Sequence, residues 1–216
     1  MSAIGVLAQL QEVHLADGVT MRGHRWLAGE RHAILVHDLG TDLDEVRSIC
    51  RGFVGAGFTT TAVDRIGHGA SDDRPNHGST HGLADDLVDL VGLLDLGTGV
   101  YLVGVGEAAA GCLTAAAAIQ PSLVALVSPR DFHRVPRAVL SDDRSPTLIA
   151  FGALDPVCEA EARRLAEARP GPALLVRMPT AAQASSLLAG PLGPQVVNHI
   201  VGYARQIAPR TTARGM

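Results

Sequence analysis

The sequence of 216 residues lacks lysine, and all 18 of its basic residues are arginine. With its abundant alanine and glycine, this indicates the coding bias of a GC-rich bacterial genome rather than a function. Aromatic residues make up only 3%, and no apolar run approaches the length of a membrane span. The net charge of −4 argues against a nucleic-acid-binding surface. We therefore expect neither a membrane nor a nucleic acid as partner.

Cysteine is scarce as well. The three cysteines, Cys50, Cys112 and Cys158, lie in predicted helices without C-x-x-C spacing, which argues against a zinc site or a disulfide framework. Residues 1–10 carry no basic leader before their short apolar run. These features predict a cytoplasmic protein, and we expect it to have no metal and no cofactor.

The order of apolar segments predicts one α/β domain over residues 1–216, with an N-terminal extension at 1–10 and a flexible tail at 209–216. Predicted strands cover 11–15, 19–27, 32–37, 58–64, 100–104, 123–128, 147–152 and 173–178, and predicted helices cover 42–56, 82–96, 107–120, 157–169 and 194–207. An antiparallel start followed by β/α alternation predicts a three-layer α/β/α sandwich around a mostly parallel sheet of about eight strands. Any site should lie at the carboxyl edge of that sheet.

An apolar strand leads into an alanine-rich helix through Gly104-Val105-Gly106-Glu107-Ala108. This is the setting of a nucleophile elbow, G-x-S-x-G, in which the middle serine occupies a sharp, strained turn. Here the middle residue is Gly106, which adopts a positive φ without steric cost but has no reactive atom. The sequence predicts a retained turn without its nucleophile, unless the segment is an ordinary strand–helix turn.

Other segments match hydrolase motifs in chain order. The run from His37 through Asp38 and Leu39 to Gly40 is similar to an oxyanion loop, and 64–71 is similar to the turn D-x-x-G-x-G-x-S. Asp155, after the strand 147–152, stands where a triad carboxylate is expected. Together these motifs resemble the α/β-hydrolase family over residues 13–207, nearly the whole chain.

The resemblance implies a serine, a histidine and a carboxylate as the catalytic triad. Its acid aligns with Asp155, its nucleophile with Gly106 and its histidine with Gln183 in the loop 178–184. Glycine cannot form an acyl intermediate and glutamine cannot act as the base. Asp155 is either a vestige of the triad or the N-cap of the next helix, since Pro156 follows it.

Several nearby residues have both a structural and a functional interpretation. The Glu107 carboxylate either interacts favourably with the positive N-terminal end of its helix dipole, or points into the pocket without a nucleophile beside Asp38. His199 is a helix-face residue or a relocated base. A relocated nucleophile would be Ser128 or one of the serines at 185–186, although none of them has a paired base in the sequence.

The segment 129–145, where family members insert a lid, has the length of an ordinary loop and predicts no substantial lid. A shallow, open pocket suits a protein partner, a homo-oligomer or an exposed small molecule better than an engulfed one. The leading hypothesis is a non-hydrolytic pseudoenzyme that acts as a binding or scaffold subunit. The alternative is a lyase, cyclase or isomerase that uses Asp38, Glu107 or Asp155 for acid/base chemistry.

Overall fold

The computed structural model describes residues 7–75, 80–130 and 132–207. Eight strands are present: β1 (Gln9–His14), β2 (Thr20–Trp26), β3 (His32–Val36), β4 (Thr59–Val63), β5 (Tyr101–Val105), β6 (Leu123–Val127), β7 (Thr147–Gly152) and β8 (Ala173–Met178). The helices of the described residues are α1 (Arg47–Gly55), α2 (Thr80–Leu93), α3 (Ala108–Ile119), α4 (Arg137–Asp142), α5 (Pro156–Ala168), α6 (Ala184–Ala189) and α7 (Gly193–Gln206). The predicted alternation of strands and helices is thus observed.

The strands form one sheet in the order β1-β2-β4-β3-β5-β6-β7-β8. Strands β1 and β2 pair antiparallel, as do β2 and β4, and every other pair is parallel. The turn that joins β1 to β2 contains Gly18, which has φ +88° and lies two positions before the start of β2. The predicted eight-stranded, mostly parallel sheet with flanking helices is confirmed.

Helices cover both faces of the sheet, so the central strands β3, β5 and β6 are buried along their whole length. Alternate residues enter two separate cores: Ile34 and Leu102 face one, whereas Leu35 and Val103 face the other. Small side chains let α3 approach α2 closely, since a Cβ at Gly111 would lie 2.5 Å from Leu83 Cδ2. The alanine-rich helix α3 therefore packs closely against α2.

The predicted boundaries differ from the observed ones in several places. The helix expected at 42–56 is a 3₁₀ turn, Leu43–Val46, followed by α1. Helices α4 and α6 lie in segments predicted as loops, because helices of six residues show no clear apolar period. Strand β1 takes in positions 9 and 10 of the predicted extension. The predicted tail at 209–216 lies outside the described residues.

None of the helices that the structure describes is long and apolar enough to cross a membrane.

Candidate functional site

Loops from several parallel strands meet at the carboxyl edge of the sheet. The loop after β3 carries Asp38, the turn after β5 carries Gly106, and the loops after β7 and β8 carry Asp155 and Gln183. Parallel strands with neighbouring positions in a sheet end at the same edge, which is where ligands bind in open α/β folds. The positions that match a triad therefore face a common edge.

The elbow at Gly106 is a sharp strand-to-helix turn. Gly106 has φ +57°, in the left-handed region, and its N–H donates to the Val127 carbonyl at 2.9 Å. A Cβ at this position would lie 2.0 Å from Cγ of Asp38, well inside van der Waals contact. The Asp38 carboxyl group thus occupies the space that a nucleophile's side chain would need.

The same carboxyl group accepts hydrogen bonds from two N–H groups at the positions where an oxyanion hole would be expected. In this kind of site the hole consists of the N–H that follows the nucleophile and an N–H from the loop after the third strand. Here the N–H groups of Glu107 and Leu39 both donate to Oδ1 of Asp38, at 2.7 and 2.8 Å. Both donors that would bind a substrate's oxyanion are already paired with the protein's own carboxylate oxygen.

Glu45, which the sequence analysis did not single out, holds this loop in place. Its Oε2 accepts hydrogen bonds from the Asp38 N–H at 2.6 Å and from the Thr41 hydroxyl at 3.0 Å. Its Oε1 accepts a hydrogen bond from the Ser185 hydroxyl of α6. Ser185, considered above as a relocated nucleophile, is therefore a donor to a carboxylate that orients the Asp38 backbone.

His37 joins the ends of β3 and β4. The Arg65 N–H donates to Nε2 at 3.0 Å, so the ring proton is on Nδ1, which donates to the Asp38 carbonyl at 2.7 Å. Burial of the ring lowers the pKa of His37 to about 4. Both ring nitrogens are used by the backbone, so His37 fixes the oxyanion loop and does not transfer protons.

We expect the free energy of unfolding to fall as the pH drops below about 6.5. Burial lowers the pKa values of His37 and His32 to about 4 in the folded protein. The unfolded chain takes up these protons near pH 6.5, so the stabilisation is complete above that pH and is lost as the pH falls towards 4. Each histidine should account for about 2 kcal/mol between pH 7.5 and 5. Urea unfolding at a series of pH values measures the slope of the free energy of unfolding against pH.

His37→Gln should make the slope shallower, whereas the matched change His199→Gln, on the exposed face of α7, should leave it unchanged. Equal slopes for all three proteins would contradict the assignment of a neutral, buried His37.

The turn at residues 64–71 stabilises the neighbouring loops through hydrogen bonds. Asp64 accepts hydrogen bonds from the N–H groups of Leu43 and Ala70, at 2.8 and 2.9 Å, and its carbonyl accepts one from the Ser71 hydroxyl at 2.6 Å. Nε2 of His68 accepts a hydrogen bond from the N–H of Gly40 at 3.0 Å. These hydrogen bonds connect the loop after β3 to the end of β4, so Asp64 and His68 have structural roles.

Asp155 is the N-cap of α5. Its Oδ1 accepts hydrogen bonds from the N–H groups of Val157 and Cys158, at 2.9 and 3.2 Å. The residue is 8% exposed, and its other oxygen, Oδ2, is buried without a hydrogen-bond partner. Capping thus uses one carboxylate oxygen, and the second one has no partner among the described residues.

Gln183 lies at the N-cap position of α6, which the sequence analysis missed. Its Oε1 accepts a hydrogen bond from Arg130 Nη2 at 2.6 Å, so the side chain is held by the loop after β6. His199 is exposed on α7 and does not line the cavity at Gln183. Ser128 is fully buried. His199 thus lies away from this cavity, and the Ser128 side chain is closed off from solvent.

Glu107 contacts Asp38 through its backbone N–H. Its side chain makes no capping hydrogen bond, and its negative charge acts on the buried guanidinium of Arg65. Burial is the main influence on Arg65 and lowers its pKa, while the charges of Glu107 and Asp38 oppose that shift. Glu107 therefore belongs to the charge environment of Arg65 beneath the elbow.

A cavity of about 380 Å³ lies next to the elbow, between the positions that match the acid and the base of a triad. Its lining consists of Pro129, Arg130, His133, Asp155, Val157, Cys158, Glu161 and Gln183. Neither Gly106 nor Asp38 is among these residues. The predicted open pocket at the elbow is thus displaced towards the acid loop, because Asp38 occupies the elbow itself.

The three cysteines are free and buried. Burial raises the pKa values of Cys50 and Cys112 to about 12 and that of Cys158 to about 11. All three thiols are therefore protonated near neutral pH and do not act as nucleophiles. Among the described residues, no group of three or more His, Cys, Asp and Glu side chains could hold a metal ion.

No protein-family model matches the sequence, and no curated protein is similar to it. Solved structures do share its fold. A predicted CIB-like hydrolase from Thermoplasma acidophilum superimposes with a TM-score of 0.79 at 15% identity, over 93% of this chain and 100% of the other. DcsB in complex with its substrate analogue gives a TM-score of 0.82 at 16% identity, over 94% and 100%.

A dienelactone hydrolase from Anabaena variabilis gives a TM-score of 0.78 at 17% identity, over 93% of this chain and 99% of the other. At these identities the likeness concerns the fold and not the activity. The protein has the α/β-hydrolase fold, as the order of its motifs predicted.

Proposed function

We propose that this protein is a non-hydrolytic member of the α/β-hydrolase fold that acts as a binding or scaffold subunit. The observation that carries the proposal is the Asp38 carboxylate, whose Oδ1 accepts both oxyanion-hole N–H groups. A tetrahedral intermediate needs those donors for its developing negative charge. With a carboxylate oxygen in that place, an ester carbonyl has neither the donors nor the space to react.

The missing triad side chains support the same conclusion independently. Gly106 offers no nucleophile, and Gln183 offers no base. The serine, histidine and oxyanion hole act together in hydrolysis, so loss of all three leaves no partial mechanism. Asp64 and Glu45 still accept hydrogen bonds from the backbone of the loop after β3 and of the following segment. An ordered loop of this kind suits a protein that binds a partner or ligand. Three free cysteines suit a cytoplasmic location.

The proposal predicts no ester hydrolysis. Turnover of short p-nitrophenyl esters should equal the buffer rate, and a serine-reactive fluorophosphonate probe should leave the mass of the protein unchanged. Asp155→Ala and Glu107→Ala variants should behave like the parent protein. Turnover that disappears in either variant would instead assign the chemistry to that carboxylate and refute the proposal.

A second function is favoured by the other oxygen of Asp38. The residue is 7% exposed, and Oδ2 accepts no hydrogen bond from the described residues, so this oxygen could exchange a proton with a ligand. This would be the chemistry of a lyase, cyclase or isomerase. Asp38→Asn keeps an acceptor for the two N–H groups and removes the base, so turnover of a ligand that survives in Asp38→Asn would exclude this alternative.

A further inference from the structure

The cavity between Asp155 and Gln183 has the features of a binding site. Its volume of about 380 Å³ lies near the lower end of the range of about 300–1,000 Å³ that ligand pockets occupy. In a complete triad the acid and the base would meet here through the imidazole ring. With glutamine in place of histidine, and with that glutamine bound to Arg130, the acid has no partner from this loop.

Asp155 lines this cavity, and its Oδ2 is a buried hydrogen-bond acceptor without a partner among the described residues. Leaving such a group unpaired is unfavourable, and more so when the group is charged. The Cys158 thiol approaches the Pro129 carbonyl instead, at 4.0 Å. A ligand with a positively charged N–H donor would pair this oxygen.

The charged groups around the cavity have both signs. Glu161 adds a second carboxylate near Asp155, and Arg130 adds a guanidinium at the side of Gln183. Arg130 uses Nη2 for Gln183 and retains other N–H groups, which suit a carboxylate. Cys158 adds no charge, because burial raises its pKa to about 11. The lining thus offers an acceptor end and a donor end.

We propose that this cavity binds a small zwitterion, a molecule that carries a protonated amine and a carboxylate, as free amino acids do. The amine donates to Oδ2 of Asp155, and the carboxylate accepts from Arg130. This inference rests on the proposed function, since the ligand takes the place that a catalytic histidine would fill. It assigns the ligand to the acid loop and not to the elbow.

Isothermal titration with ω-amino acids of increasing length, from glycine to 5-aminopentanoate, tests the proposal. The series covers the unknown separation of the two charged ends. Propylamine and butyrate serve as probes with only one of the two charges. We expect at least one zwitterion to bind at least tenfold more tightly than either single-charge probe, because each charged hydrogen bond adds affinity.

Two variants identify the residues. Asp155→Asn keeps Oδ1 as the helix cap and turns the buried acceptor into a donor, so it should weaken binding tenfold or more without unfolding the protein. Arg130→Gln should reduce affinity for the zwitterion towards that for propylamine. The matched control is Glu167→Gln, which removes one negative charge from the exposed face of the same helix, α5, away from the cavity lining.

Binding that is unchanged in Asp155→Asn, or equally tight binding of butyrate, would overturn the proposal. No binding by any member of the series would overturn it as well. The result is separable from the ester assay: zwitterion binding together with esterase activity would refute the non-hydrolytic function and leave this site standing. Absence of both zwitterion binding and ester hydrolysis would refute this binding site but not the non-hydrolytic function.

Discussion

Gly106→Ser should destabilise the folded protein by about 2–5 kcal/mol, because overpacking is added to the cost of a left-handed backbone for a residue with a Cβ. The added Cβ would meet the Asp38 carboxyl group at 2.0–2.2 Å, and the residue has φ +57°. The midpoint and slope of urea unfolding, read by far-UV circular dichroism, measure the loss.

Two further variants separate the cost of overpacking from the cost of the left-handed backbone. Gly57→Ser is the matched control, since Gly57 has φ +82° but nothing within 4 Å of an added Cβ, so it should lose only the backbone part. Asp38→Gly in the Gly106→Ser background should recover the packing part, and the double-mutant cycle should show coupling of about 1–3 kcal/mol. A loss at Gly106 no larger than that at Gly57, with additive effects, would contradict the contact.

The sequence was sufficient for the fold because the strands carry strong local signals. Strands β3 and β6 are short, uninterrupted apolar runs, and the glycines at 104 and 106 mark the elbow between β5 and α3. The cap at Asp155 was also visible, since proline follows it directly. Each of these features depends on residues within a few positions of one another along the chain.

The state of the oxyanion hole was not visible in the sequence. The hydrogen bond from the Glu107 N–H to Asp38 spans 69 positions, and no local pattern shows that the carboxyl group turns towards the elbow. From the sequence, Asp38 was predicted as a candidate acid or base in the pocket. In the structure its Oδ1 already accepts hydrogen bonds from two backbone donors.

Helix α6 was missed for a related reason. A helix of six residues has too few turns for a periodic signal, so the segment after β8 was taken as a loop ending at Gln183. In the structure Ser185 of this helix donates to Glu45, which in turn accepts from the Asp38 N–H. The contact across the chain, and not the helix propensity, gives this segment its role.

Asp38 and Gly106 form one structural unit. The carboxyl group fits because position 106 has no side chain, and the glycine is stable in its turn because Oδ1 of Asp38 accepts the N–H that follows it. A serine at position 106 and a glycine at position 38 would be the complementary pair, with an empty oxyanion hole. Changing only position 106 to serine produces a steric clash with Asp38. Changing only position 38 to glycine leaves the N–H groups of Leu39 and Glu107 without their acceptor.

The triple variant Asp38→Gly, Gly106→Ser, Gln183→His should therefore hydrolyse short esters, whereas Gly106→Ser with Gln183→His alone should not. The triple change frees the N–H groups of Leu39 and Glu107, supplies a nucleophile and supplies a base. Oδ2 of Asp155, which has no hydrogen-bond partner among the described residues, should accept the Nδ1 proton of the new imidazole while Oδ1 continues to cap α5. A positioned base alone contributes about 10²–10⁴-fold, so p-nitrophenyl acetate hydrolysis should exceed that of the parent by at least about a hundredfold.

Mass spectrometry after treatment with a fluorophosphonate should show one adduct, at position 106, in the triple variant only. Adding Asp155→Asn to the triple variant should lower the rate by about tenfold or more, because an amide does not hold the imidazole in the productive tautomer. A triple variant with native circular dichroism and a cooperative unfolding transition that neither hydrolyses the ester nor reacts with the probe would mean that the site differs from a hydrolase at more than these three positions. Hydrolysis by the variant that retains Asp38 would instead show that its carboxylate does not block the oxyanion hole.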